Sequence, residues 1–204
     1  MKISSLLLII AAVLASCNTI EKKSEKNTAT HADSLYNEYL SQGRQVVSLS
    51  FRALSSQLQL AIGERGTDGA LAFCSVHALP ITDSLSQALM VNISRTALRI
   101  RNPENAPDPL DERIMHHFMQ LNWQSGTMPD TLVMNELGEF TYMAPIPTFK
   151  ACLQCHGIPE IEIKPQTINL IQSLYPDDKA IGFREGDLRG LWKVQFRKQN
   201  NLVR

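Results

Sequence analysis

Cys152-Leu153-Gln154-Cys155-His156 places two cysteines two residues apart with a histidine directly after the second. Whatever fold this chain adopts must present that pentapeptide on one tight turn. In Cys-x-x-Cys-His the two thiols add across the vinyl groups of haem, and the adjacent imidazole is close enough to ligate the iron from one face. Cys152 and Cys155 are therefore read as covalent attachment points of a single haem c, and His156 as its proximal ligand. Two other chemistries use related spacings. A zinc ribbon would need a second cysteine pair, which the chain lacks. A thioredoxin-type dithiol would need an early βαβ pattern around the motif, which is also missing. The motif does not repeat.

Covalent haem attachment takes place outside the cytoplasm, and the first residues agree with export. Lys2 is followed by an uncharged apolar run from Leu6 to Leu14 and then by Leu14-Ala15-Ser16-Cys17. The run is far shorter than the ~20 residues that span a bilayer, so it reads as a secretory signal. Leu14-Ala15-Ser16-Cys17 resembles the lipobox of bacterial lipoproteins. That resemblance implies cleavage after residue 16 and lipidation of Cys17, with enough acyl chains for stable anchoring. Residues 18–34 are polar, charged and poor in aromatics, which predicts a flexible tether, with His31 solvated inside it. The expected organisation is a signal peptide over 1–16, a lipidated cysteine and tether over 17–34, and one domain over 35–204. The expected location is the bacterial cell envelope, anchored to a membrane and facing the periplasm or exterior. Twenty Lys and Arg balance 20 Asp and Glu, so there is no basic footprint for nucleic acid.

The remaining pattern predicts α+β. Apolar residues at helical spacing mark a helix from Leu35 to Ile62, with Gly43 as a break point. A second helix starts after Gly66, capped by Thr67 or Asp68, and runs past Pro80, where it kinks or restarts, to Ala88. Met90 to Arg101 reads as a strand and Leu110 to Trp123 as a helix. Thr131–Asn135 and Glu139–Pro145 form a hairpin about Leu137 and Gly138. Thr167–Leu174 is a short helix and Gly190–Arg197 a last strand.

His156 fills one axial position, and the candidates for the other are Cys74, His77, His116, His117 and several methionines, notably Met90, Met115, Met119 and Met143. On spacing alone the methionines read as core filler rather than ligands, and for Cys74 a buried small hydrophobe is the competing reading. His116 and His117 are neighbours on one helix, so at most one faces inward. Arg95, Arg99 and Arg101 occupy alternate positions of the expected strand and therefore one face of it. They are candidate partners for the haem propionates, because buried carboxylates need partners; a solvated strand face is the competing reading.

Four stretches, Phe73–Ile81, Arg95–Pro107, Ala144–Ile146 with Cys152–Gly157, and Tyr175–Gly190, carry a resemblance over most of the chain from Leu35 to Val194. They resemble the single-haem c-type domains with a PAS-like fold, found as a cyanobacterial photosystem-associated haem protein and as the sensor region of some bacterial signalling proteins. The resemblance implies a central antiparallel sheet flanked by helices and iron held by His156 and Cys74, with His77, one turn away, as the competing ligand. A thiolate opposite histidine implies a low-potential haem. The function expected is electron transfer with a redox partner protein. The alternative is a haem-based redox or gas sensor acting through a separate partner. No nucleophile triad or Gly-rich phosphate loop suggests an enzyme.

Overall fold

The computed structural model describes residues 4–121 and 129–197, with side chains from residue 32 onward. The lipidation candidate Cys17, the tether residue His31 and Trp123 lie outside the described side chains. The chain divides into two compact units, Met1–Tyr39 and Leu40–Arg204. Among the described residues no helix is long and apolar enough to cross a membrane.

Helix α1 (Ser4–Ala88) is two helices joined across a kink at Gly66, whose φ of 70° and ψ of −176° are not helical. Glycine visits that region at no steric cost, whereas any side chain would strain it. The break expected at Gly66 is therefore present. The break expected at Gly43 is not: a Cβ there would collide with the Tyr142 ring, so this glycine lets the helix approach the sheet. Pro80 lies inside the second helix without interrupting it. Helical backbone also covers residues 18–34, the segment read as a tether.

Four antiparallel strands follow in the order β1-β4-β3-β2: β1 (Val91–Thr96), β2 (Thr131–Met134), β3 (Phe140–Pro147) and β4 (Leu188–Phe196). The last strand to be made thus lies at the centre of the sheet. β1 is half the length expected. Beyond Thr96 the backbone turns away, with the Ala97 N–H donating to the Asn105 carbonyl, and Arg99 and Arg101 lie outside the strand. The β2–β3 hairpin turns as the sequence predicts. Gly138 has a φ of 75°, and the Asn135 side chain accepts from the N–H groups of Leu137 and Glu139.

Helix α2 (Pro109–Gln120) begins with Asp108 and Asp111 in a reciprocal capping box and Pro109 in the first turn. It buries Met115 and Phe118 against Met143 of β3 and Leu191 of β4. A second core joins Leu71 of α1 to Ile163 and to Ile171 of helix α4 (Pro165–Leu174).

Two ion pairs tie the helices to the sheet. Lys193 of β4 donates to Asp108 at 2.6 Å and to Asp111 at 3.0 Å. Arg44 of α1 donates to Asp130 at 2.9 Å, and the Tyr142 hydroxyl donates to the same carboxylate at 2.8 Å. Burial raises the pKa of Asp108 and Asp130, but the Lys193 bond on one and the Arg44 and Tyr142 bonds on the other outweigh it and leave both below their usual 3.8. A depressed carboxyl contributes stability that is complete above its unfolded value and is lost as pH falls through the folded one. Urea unfolding is therefore expected to show a loss beginning below about pH 4. Because Asp108 is half exposed, each group should account for about 1 kcal/mol or less. Asp130→Asn should flatten its share of that dependence, and an unchanged acid limb would refute its role.

Candidate functional site

After β3 the chain is pinned at Thr148, whose N–H donates to the Asp187 carbonyl at 2.8 Å and whose carbonyl accepts from Gly186 at 2.8 Å. It then winds through a 3-10 turn, Lys150–Cys152, into the short helix α3 (Leu153–His156). Helical winding brings Cys152 and Cys155, three apart, to neighbouring positions. The buried Leu153 anchors the turn. Gly157 closes it, donating to the Leu153 carbonyl at 2.9 Å where a Cβ would strike the Glu162 carboxylate. The three described cysteines, Cys74, Cys152 and Cys155, are free thiols.

A second segment clamps the turn. The N–H groups of Gly182 and Phe183 donate to the carbonyls of Gly157 and His156, at 2.7 and 2.9 Å. His156 Nδ1 lies 2.7 Å from the Ala180 carbonyl oxygen. A carbonyl only accepts, so Nδ1 carries the proton and Nε2 keeps its lone pair. Burial holds the imidazole pKa well below its ordinary value, and the positive charges of Arg189, Arg101 and Arg99 push it further the same way. His156 is thus a neutral imidazole oriented by a backbone acceptor, the form in which histidine ligates a metal.

Cys74, half-buried on the helix after Gly66, shares this surrounding. Burial raises its thiol pKa while Arg95 acts against that, and the Cys155 thiol is raised by burial, with Cys74 among the charges that act on it. The motif is also held to this helix by Thr67, whose hydroxyl donates to Gln154 at 3.0 Å, and Asp68 accepts from Thr167 of α4. His77 is exposed and stacks on Phe73 with ring centroids 4.4 Å apart. His116 and His117 are exposed on α2, whereas Met115 and Met143 are buried in the core beneath it. Met90 and Met119 are exposed.

The three arginines part company. Arg95 comes from β1 opposite Trp192, its guanidinium 5.8 Å from that ring, and its buried Nε has no hydrogen-bond partner. Arg101 is fully engaged: it grips both oxygens of Asp178, at 3.1 and 2.9 Å, and donates to the carbonyls of Cys155 at 2.7 Å and Ala180 at 3.3 Å. Arg99 donates to the Ile181 carbonyl at 3.0 Å and lies 3.5 Å from the centroid of the Phe183 ring. Sequence reasoning passed over a fourth. Arg189 of β4 donates to the Arg99 carbonyl at 3.1 Å, and burial, reinforced by Arg101, pushes its pKa down to about 10. It lies within the Tyr175–Gly190 stretch, where an arginine at the start of a largely buried strand is the signal for it.

These residues fit a haem better than a bare ion. Among the described residues no three His, Cys, Asp or Glu side chains converge as a protein-only metal site requires. A haem brings four nitrogen donors of its own and asks only for axial ligands. His156 Nε2 and the free thiols of Cys152 and Cys155 suit attachment, and the orphaned Arg95 Nε suits a propionate.

A family model described as Tll0287-like, Tll0287, matches residues 19–197. The chain is also similar to a solved protein, the cyanobacterial heme-protein Tll0287, with a TM-score of 0.59 and 25% identity over 79% of this chain and 96% of that one. No curated protein matches it.

Proposed function

We propose a function from one premise: this chain belongs to the Tll0287-like family. The protein is a single-haem protein with a PAS-like domain, holding one haem c covalently through Cys152 and Cys155. His156 and Cys74 would hold its iron. The observation that carries this reading is the His156 ring, which is neutral, oriented by Ala180 and left with a free Nε2 directly after the attachment cysteines. A bound haem would supply one-electron redox chemistry at its iron. The chain's own part would be to hold that iron through His156 and the Cys74 thiolate, which would favour the ferric state, and to neutralise the propionates. Of the three candidate arginines, Arg95 is assigned to a propionate, because its buried Nε otherwise remains unpaired, at a cost of about 1–3 kcal/mol. Arg101 instead positions the segment that orients His156.

With both axial positions held by protein, the role is electron transfer with a partner protein rather than catalysis. Cys17 is the lipid anchor that keeps the domain at the envelope membrane. Cys74 is preferred to His77 because it shares the electrostatic surroundings of Cys155 and Arg95, whereas His77 is exposed on Phe73. Cys74→Ala is expected to leave the haem covalently attached while the oxidised absorption spectrum loses its low-spin thiolate signature. An unchanged spectrum would remove Cys74 from the iron. Carbon monoxide added to the reduced wild-type protein should leave its spectrum unchanged; a new carbonyl spectrum would replace electron transfer with ligand sensing.

A further inference from the structure

A cavity of about 420 Å³ opens between α2 and the segment that leads into β4. Leu98, Met115, Met119 and Leu188 give it apolar walls. Arg99 and Arg189 line it as well, and Phe183 packs against both guanidinium groups, 3.5 and 5.2 Å from its ring centroid. None of Cys74, Arg95, Cys152, Cys155 or His156 lines it, and Phe183, whose ring centroid is 6.3 Å from that of His156, stands between the cavity and that imidazole's ring edge. Its volume lies in the range of small-molecule sites, about 300–1,000 Å³, whose usual makeup is an apolar lining with a few fixed polar groups.

The charges are out of balance. Among the described residues neither Arg99 nor Arg189 has a carboxylate within ion-pair distance; each donates to a main-chain carbonyl instead, on Ile181 and on Arg99. The one acid in the lining, Asp187, accepts from the Arg184 N–H at 2.7 Å. Two guanidinium groups against one carboxylate leave a net positive charge beside apolar walls. Each guanidinium has donors beyond the one in use, in the planar fork that matches a carboxylate. Arg101, which bears the same charge nearby, is neutralised by Asp178, so the fold supplies a counterion where it needs one and none here.

We propose that this cavity is a second ligand site, which takes a small monoanionic carboxylate: the head group pairs with Arg99 and Arg189 while a short aliphatic body lies against Leu98, Met115 and Leu188. The carboxylate completes the charge balance of the pocket, and the apolar walls exclude strongly hydrated inorganic anions. Met119, 56% exposed, stands at the rim.

Titration calorimetry of haem-loaded protein with hexanoate tests the site. Saturable one-to-one binding is expected, weakened at least about tenfold for neutral hexanamide and at least about tenfold by Arg189→Met. Should Arg189→Met fold poorly, Met119→Trp, a rim substitution that leaves both arginines in place, should weaken hexanoate binding by narrowing the entrance. Absence of saturable binding up to about 10 mM, or equal affinity for hexanoate and hexanamide, would overturn the proposal. So would hexanoate binding confined to haem-free Cys152→Ala/Cys155→Ala protein, since the two guanidinium groups would then belong to the haem's own carboxylates. That last outcome leaves haem attachment at the motif intact, so the two readings fail separately.

Discussion

Cys152→Ala combined with Cys155→Ala is expected to abolish covalent haem: after denaturing electrophoresis the wild-type band should carry haem stain and the double variant essentially none. The effect is all-or-none because thioether bonds are the only attachment that survives denaturation. The fold should tolerate the change. Both cysteines are only half-buried, and Leu153 rather than either thiol anchors the turn. Circular dichroism of the double variant should therefore show the same helix and sheet as haem-free wild type. Persistent stain in the double variant would refute attachment at this motif, and the family's likeness to a heme-protein would then have to be met by some other site. His156 would keep its hydrogen bond to Ala180 in that variant, so haem bound without covalent linkage could still be detected in the native protein.

Arg101→Ala should have the largest effect on stability, about 3–5 kcal/mol by equilibrium urea denaturation. Arg101 and Asp178 are 9% and 6% exposed, so removing the cation leaves a buried carboxylate with no counterion. The same guanidinium ties the Cys155 carbonyl to that of Ala180, the group that orients His156, and Lys179 donates to the Ile100 carbonyl beside it. Loss of Arg101 should therefore loosen the His156 clamp together with the fold, and the haem-loaded variant should show weakened histidine ligation in its spectrum. Arg101→Lys should recover only part of the stability, because an ammonium cannot grip both oxygens of Asp178 in the plane of the carboxylate. A loss below about 1 kcal/mol for Arg101→Ala would mean that the pair is solvated and behaves as a surface ion pair.

The Cys-x-x-Cys-His motif stands out in the sequence because its residues are near neighbours. Cys152, Cys155 and His156 lie within five residues, and the kink at Gly66 and the Asn135–Glu139 hairpin turn are equally short-range. Pattern and fold part where a contact outside the local repeat sets the backbone. The strand from Met90 was overextended because alternation continues to Arg101, while the backbone is turned at Ala97 by its bond to Asn105. Gly43 looked like a helix break because periodicity cannot show Tyr142 lying against it from β3.

Arginines posed the sharpest problem. Arg95, Arg99 and Arg101 share a parity, which suggested one face and one task. Their tasks are set by partners more than 75 residues away in two cases: Asp178 takes Arg101 and the Ile181 carbonyl takes Arg99. Arg95 is left with an unpaired Nε.

By itself, then, the sequence determined the α+β class, the break at Gly66 and the hairpin turn at Gly138, which depend on residues a few positions apart, whereas Thr67 and Asp68, the caps it offered, bond Gln154 and Thr167 instead. Tertiary structure decided which nitrogen of His156 is free, which arginine keeps an unpaired Nε and where an apolar cavity meets two guanidinium groups. Burial and hydrogen-bond partners are properties of chain segments brought together across the sheet, and no local pattern encodes them.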